Sequence, residues 1–368
     1  MTAKLRVGVI FGGRSGEHEV SLMSSRSVLN VLDPQKYEVF QIGITRQGAW
    51  VTGEDAWSAL DSGQTAGLPT ALILPEPGRA ALYALRGESL RLVTALDVLF
   101  PVLHGTFGED GTLQGLLEMA DLAYVGSGVL GSAAGMDKAL FKDVMRANGL
   151  PVAPSILVTR REIEQDLTAV LERAETLGYP IFTKPANLGS SVGITRCRGR
   201  SDLHEGLLEA ALYDRRILVE QGVPNAREIE VSVLGNEQPV ASVPGEIRPG
   251  DEFYSYEAKY IMETSELVIP APLPQPVADT IRDLAVRAYQ AVDCAGMARV
   301  DFLLDAHSGQ VFLNELNTIP GFTKISMYPK LWEASGLSYR DLVDRLIELA
   351  LERKADRDHT VRHFRRGS

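Results

Sequence analysis

Cysteine is scarce in this chain of 368 residues: there are two, Cys197 and Cys294, far apart and outside any metal-ligand spacing. That scarcity argues against a disulfide framework or a thiolate metal site and fits two incidental thiols in a reduced compartment. No run approaches the roughly 18 apolar residues of a membrane-spanning helix. Positive charge is in deficit as well. Thirty-seven Lys and Arg face 48 Asp and Glu, and the net charge of −11 has the wrong sign for a general nucleic-acid or anionic-membrane binder. The chain enters a strand directly at Leu5-Arg-Val-Gly-Val-Ile-Phe11, with no charged and apolar leader, so a cytoplasmic location is expected. There is no Gly-Lys-Ser/Thr ending of a P-loop, and no internal repeat or low-complexity segment.

What is present is an ordinary globular composition, 45% hydrophobic and 23% charged, long enough for two or three cores. Residues 1 to 137 alternate strand and helix, which predicts an N-terminal open parallel α/β domain. Its strands are expected at Leu5–Phe11, Tyr37–Ile44 and Val98–Leu103, and its helices at Glu19–Val31 and Thr112–Ala120. The stretch from Gly48 to Leu92 reads as hairpins and loops. Residues 138–215 and 216–355 read as central and C-terminal α+β domains, and 356–368 as a flexible tail in which His359 and His363 are solvated.

The most informative stretch is Ala298 to Thr318. Two strand-like runs flank Ala306-His307-Ser308-Gly309. With Gly309 in the left-handed position of a three-residue loop, Asp301 falls opposite Glu315, and the period of two adds Asn317 to that face. Two carboxylates and an amide suit a hard cation such as Mg2+, which takes its remaining ligands from water and phosphates.

Three glycine-rich loops belong with this hairpin. Gly12–His18 and His104–Gly111 follow strands of the first domain, at the carboxyl ends where open sheets bind ligands. The third, Lys184-Pro-Ala-Asn-Leu-Gly-Ser190-Ser191-Val-Gly193, has the glycines and hydroxyls of a phosphate cradle with a lysine beside it. Gly126-Ser-Gly128-Val-Leu-Gly131 spells a dinucleotide fingerprint but lacks the acid at the end of a second strand, and is set aside. Tyr254, Tyr256 and their neighbours form a loop long enough to be a lid. A phosphate loop, several lysines at element ends and a Mg2+ hairpin together indicate ATP chemistry by positioning and charge neutralisation.

The blocks Gly12-Gly13-Arg-Ser-Gly-Glu17-His-Glu-Val-Ser21, His104-Gly-Thr-Phe-Gly-Glu-Asp-Gly111, Met136-Asp-Lys138, Lys184 to Gly193, Tyr256-Glu-Ala-Lys259-Tyr260, Arg299-Val-Asp301 and Asn314-Glu315-Leu-Asn317-Thr-Ile-Pro-Gly321 occur in this order. Together, from about Val7 to Leu349, they resemble the D-alanine:D-alanine ligases of the ATP-grasp superfamily. The resemblance implies an ATP-grasp fold with ATP between two sheets. It implies the joining of two D-alanine molecules through a D-alanyl phosphate, for peptidoglycan precursors, and a homodimer.

Residue roles follow from the same resemblance. Lys138 and Lys184 would hold the α- and β-phosphates, Lys259 the γ-phosphate, Glu220 the adenine amino group and Glu228 the ribose. Phe182, Ser190, Ser191, Gln221, Val223, Phe253 and Asn314 would complete the nucleotide site. Asp301, Glu315 and Asn317 would bind one or two Mg2+ or Mn2+ ions, with a monovalent cation possible besides. Glu17 would take the first substrate's ammonium, His104 would lie near its carboxylate, and Ser326 with the backbone near Met327 would hold the second substrate. Arg299 and the Gly321 N–H would stabilise the oxyanion, while Glu17, Ser190 and Tyr260 would link three loops. Tyr260 favours a dipeptide over a D-alanine:D-lactate product, since depsipeptide-forming relatives often carry histidine there. Gln221 departs softly from members with lysine at that position.

Overall fold

The computed structural model describes residues 3–248 and 266–361. Phe253, Tyr254, Tyr256, Lys259, Tyr260 and His363 lie outside the described residues.

Three sheets carry the chain. The first, of seven strands, contains β1 (Leu5–Gly12), which pairs in parallel with β2 (Tyr37–Ile44) and β7 (Val98–Val102). These strands are nearly continuous apolar runs because both faces are covered. The parallel pairing expected of this sheet holds for β1, β2 and β7. β3 (Trp50–Thr52), β4 (Thr70–Ile73), β5 (Ala81–Arg86) and β6 (Ser89–Ala95) extend it in antiparallel order. Their connections are mostly too short for the crossover that parallel pairing needs; β5 and β6 are joined by Gly87-Glu88 alone. The stretch read as hairpins is therefore hairpins, with a short helix, α2 (Ala56–Asp61), between β3 and β4. The helix α1 (His18–Val31) starts where β1 ends, after Glu17, and α3 (Thr112–Met119) follows β7.

Asp137 separates two helices. Its backbone is extended, ending α4 (Val129–Met136), and its carboxylate accepts the Leu140 N–H at 2.8 Å to cap α5 (Lys138–Ala147). Lys138 therefore opens a helix. The second sheet contains β8 (Ser155–Thr159), β9 (Ile181–Pro185), β10 (Thr195–Cys197) and β11 (Arg216–Gln221), all antiparallel. α6 (Arg160–Glu175) and α7 (Arg200–Tyr213) back it, α6 starting from a Thr159/Glu162 capping box. β11 pairs with β8 and β9 and so belongs to this sheet, although residues from 216 onward were expected in the next domain.

The third sheet runs β15-β14-β12-β16-β17, with β13 on the other end of β12. Its strands are β12 (Ala226–Gly235), β13 (Val240–Ala241), β14 (Gly245–Arg248), β15 (Glu266–Val268), β16 (Gly296–Asp305) and β17 (Val311–Asn317). One face is closed by α8 (Gln275–Ala291), whose Ile281, Ala285 and Tyr289 are fully buried against Val231 and Val300. α9 (Met327–Ala334) and α10 (Tyr339–Asp358) tie this sheet back to the first through Phe322, Tyr328 and Leu346. α10 runs through Asp358, into the stretch expected as a flexible tail, and His359 is exposed.

The hairpin β16/β17 has the expected outcome by a different route. Asp301 faces Glu315 in the register and Gly309 is left-handed at φ +71. The Asp305 N–H, however, donates to the Gln310 carbonyl, so the loop holds four residues. A bulge next to Asp301 and Phe302 adds Asn314 to β17 and brings Glu315 back opposite Asp301.

Candidate active site

The bulge matters because consecutive residues then reach two different lysines. Asn314 Oδ1 accepts from Lys184 Nζ at 3.3 Å, and Glu315 Oε2 lies 3.4 Å from Lys138 Nζ. Lys138 also donates to the Leu188 carbonyl at 2.7 Å, tying the first turn of α5 to the glycine loop after β9. Lys184, on β9, donates to Glu220 Oε2 at 2.7 Å. The other Glu220 oxygen pairs with Lys142, a residue the sequence reading passed over. Burial alone would raise Glu220, but Lys142 and Lys184 outweigh it and hold the carboxyl below its ordinary range. Burial likewise depresses Lys142, whereas Glu220 overcomes it at Lys184 and raises that ammonium.

The remaining expected nucleotide residues are spread around this cluster. The Phe182 ring lies 5.8 Å from Lys184 Nζ. Ser190 and Ser191 both adopt left-handed backbone, φ 53 and 59, as in loops that turn successive N–H groups to one side. Gln221 uses its side-chain amide on the Leu177 carbonyl at 2.6 Å, so its side chain braces the neighbouring loop. Val223 is half-buried just beyond β11, and Glu228 is half-buried on β12.

At the substrate end, Glu17 lies at the start of α1 and accepts a hydrogen bond from the Ser190 hydroxyl, linking two of the three expected loops. Gly105 and Gly189 pack so closely that an added Cβ on either would approach Glu17 Oε2 to 2.7 and 2.9 Å. His104 is buried, with Nδ1 at 2.9 Å from the Ile319 carbonyl and Nε2 at 3.2 Å from Ser24 Oγ. Burial pushes its imidazole below the usual histidine range, partly offset by Glu17. Glu109 accepts the Gly105 N–H at 2.6 Å, and burial followed by the charge of Glu17 pushes its carboxyl up to about 8. The sequence reading quoted Glu109 within its block without giving it a role.

Arg299 forms a two-pronged ion pair with Asp301, 2.7 Å at each contact, and lies 3.0 Å from Glu230. Burial disfavours its charge, but Asp301 and Glu230 outweigh burial and keep the guanidinium charged. Glu230 was also missed; its signal was the alternation with Glu228 in β12, and the register sets it directly opposite Asp301. Asn317 donates to Asp301 Oδ2 at 3.1 Å. Ser326 caps the approach to α9, accepting from the Thr323 N–H at 3.1 Å, and a Cβ on Gly321 would meet its hydroxyl at 3.1 Å. Met327, buried, opens α9. One pocket is lined by Glu17, His104, Lys138, Ser190, Arg299, Glu315, Asn317, Gly321, Ser326 and Met327, together with Glu109 and Glu230.

Among the described residues, no group of three or more His, Cys, Asp and Glu gathers closely enough to hold a metal ion by itself. The donor set at Asp301, Glu315 and Asn317 is two carboxylates and an amide, which fits a cation that completes its shell with phosphate and water.

Comparison with known proteins now adds the decisive observation. A model described as D-ala D-ala ligase N-terminus matches residues 6–127, and one described as D-ala D-ala ligase C-terminus matches residues 144–348. The chain belongs to the D-alanine–D-alanine ligase family. It is 50% identical over 363 residues to the D-alanine–D-alanine ligase of Natranaerobius thermophilus, covering 98% of this chain and 99% of that one. A ligase of the same name from a Thermoanaerobacter species is 52% identical over 352 residues, covering 95% and 97%. Among solved structures, the D-alanine-D-alanine ligase of Coxiella burnetii superposes with a TM-score of 0.82 at 37% identity, covering 97% of this chain and 96% of that one. The VanG D-Ala:D-Ser ligase of Enterococcus faecalis gives 0.84 at 33% identity, covering 95% and 100%. The ATP-grasp architecture expected of the family is the one described above, with its N-terminal α/β sheet and two further sheets flanking the lysine cluster. Among the described residues, no helix is long and apolar enough to cross a membrane.

Proposed function

We propose that this chain condenses two D-alanine molecules at the expense of ATP, through a D-alanyl phosphate, in the cytoplasm and as a homodimer. The observation that supports this best is the meeting of Glu17, Arg299, Gly321 and Ser326 in one pocket that also carries Lys138, Glu315 and Asn317. Glu17 takes the ammonium of the first D-alanine, and His104, kept neutral by burial, flanks its carboxylate. A carboxylate oxygen attacks the γ-phosphorus, ADP leaves, and an acyl phosphate forms. Ser326 and the backbone at Met327 hold the carboxylate of the second D-alanine. Its amine, after losing a proton, attacks the acyl carbon, and inorganic phosphate leaves with the oxygen that the first carboxylate supplied. Arg299 and the Gly321 N–H face the oxyanion of the tetrahedral intermediate, an effect worth about 3 to 4 kcal/mol per donor. Ser190 on Glu17 closes the loop over the site and keeps water from the acyl phosphate, and Tyr260 is proposed as the third member of that link.

On the nucleotide side, Lys138 and Lys184 hold the α- and β-phosphates and Lys259 the γ-phosphate. Glu220 reads adenine, Glu228 the ribose, and Phe182, Ser190, Ser191, Gln221, Val223, Phe253 and Asn314 flank the nucleotide. Asp301, Glu315 and Asn317 hold Mg2+ or Mn2+, which when bound neutralises phosphate charge. No residue pattern assigns a monovalent cation. The three sheets support a division into N-terminal, central and C-terminal domains, with the second boundary after Gln221.

The test is phosphate release from ATP with D-alanine, with L-alanine, and with D-alanine plus D-lactate or D-serine, followed by product analysis. D-alanine-dependent release and D-alanyl-D-alanine as the product are expected. Release that ignores D-alanine refutes the reading, and a depsipeptide at neutral pH removes the argument from Tyr260.

A further inference from the structure

Lys142 follows Lys138 by one turn of α5 and is 1% exposed, so its ammonium has no path to a ligand in the cleft. It pairs with one Glu220 oxygen and donates to the Leu313 carbonyl at 3.3 Å. Glu220, itself 2% exposed, gives its second oxygen to Lys184 at 2.7 Å. Two ammonium groups thus share one carboxylate out of reach of water, an arrangement that costs desolvation for each charge.

We propose that Lys142 is a positioning residue for nucleotide-base selection: it anchors Glu220 through one oxygen, so that the other is free for the exocyclic amine of adenine once Lys184 turns to phosphate. This rests on the placement of ATP given above. Without Lys142, Lys184 is the one ammonium left on Glu220, and drawing it to the phosphates strips a buried carboxylate of its counter-ion. With Lys142, Glu220 stays ionised and paired throughout the exchange. A base that presents a carbonyl at that position, as inosine triphosphate does, meets a carboxylate oxygen and is rejected.

The experiment is a double-mutant cycle on the full chain, with ATP and inosine triphosphate as probes and D-alanine-dependent phosphate release as the readout. Wild type is expected to prefer ATP by at least about tenfold in kcat/KM, and Glu220→Gln to abolish that preference. Lys142→Met is expected to raise the ATP KM about tenfold while kcat stays within about twofold. The double variant should match Glu220→Gln alone, because two residues acting through one group are not additive. An ATP preference unchanged in Lys142→Met overturns the proposal, as does a further tenfold rise in ATP KM when Lys142→Met is added to Glu220→Gln. If Lys142→Met does not fold, the pair on the Glu220→Gln background decides, since no bare carboxylate remains there and Lys142 can shed its proton. A wild type indifferent to the base, with an ATP KM that Glu220→Gln leaves unchanged, overturns the placement of adenine itself.

Discussion

The molecule holds two buried charge clusters, and they are opposite in sign. Around β9, α5 and β11, Lys142 and Lys184 share Glu220; across β12 and β16, Arg299 lies between Glu230 and Asp301. The three named groups of the first carry a formal charge of +1, those of the second −1. Each is taken out of water, a costly state for a stable core. On the proposed function, an anionic phosphate would complement the first cluster and a divalent cation the second. The Lys138–Glu315 pair lies between them, where the proposed metal-bound triphosphate would contact both.

The comparison can be broken at either end. Lys184→Ala should have the largest effect, lowering kcat/KM for ATP by at least about 100-fold with melting behaviour near wild type, because Lys142 still neutralises Glu220. Wild-type turnover in that variant would remove Lys184 from the phosphate site. Asp301→Asn should weaken Mn2+ binding, read by electron paramagnetic resonance in the presence of a non-hydrolysable ATP analogue, by about 10- to 100-fold. Unchanged Mn2+ affinity would place the cation elsewhere.

A subtler change is Glu230→Gln, which keeps the side-chain shape but leaves Arg299 with Asp301 as its main anchor. We expect kcat to fall about tenfold, or ~1.4 kcal/mol of barrier, with the ATP KM unmoved; a shift confined to KM would contradict that role. The smallest expected effect is on stability. Glu109 has its folded-state pKa raised to about 8, so the stability it contributes is fully present below its ordinary carboxyl range and is lost as pH rises through about 8. Thermal melts of Glu109→Gln should therefore show a flatter decline over that window than wild type, and parallel profiles would show that Glu109 does not titrate there.

The residues of the charge clusters were unequally legible from sequence. Asp301, Glu315 and Asn317 could be read because a strand's period and a hairpin turn determine neighbours over short separations. Even so, a longer loop and a compensating bulge at Asn314 produced the register, and no turn pattern signals such a pair of cancelling shifts. Lys142 was passed over because a lysine on an amphipathic helix ordinarily faces water; only the packing of α5 against β11 and β17 reveals that it does not. Glu230 carried a faint signal, an acid alternating with Glu228 in an apolar strand, but its partner Arg299 lies 69 positions away, a pairing that only the sheet supplies. The antiparallel half of the first sheet was legible only as hairpins, without its strand bounds. Parallel and antiparallel strands share composition, and the short Gly87-Glu88 connection was the one local clue to their direction.

The most direct test of the account follows the oxygen atoms. With D-alanine labelled by oxygen-18 in both carboxylate positions, the acyl-phosphate route predicts one labelled oxygen in each inorganic phosphate released alongside D-alanyl-D-alanine. Phosphate free of label, formed at the same rate as dipeptide, would contradict it.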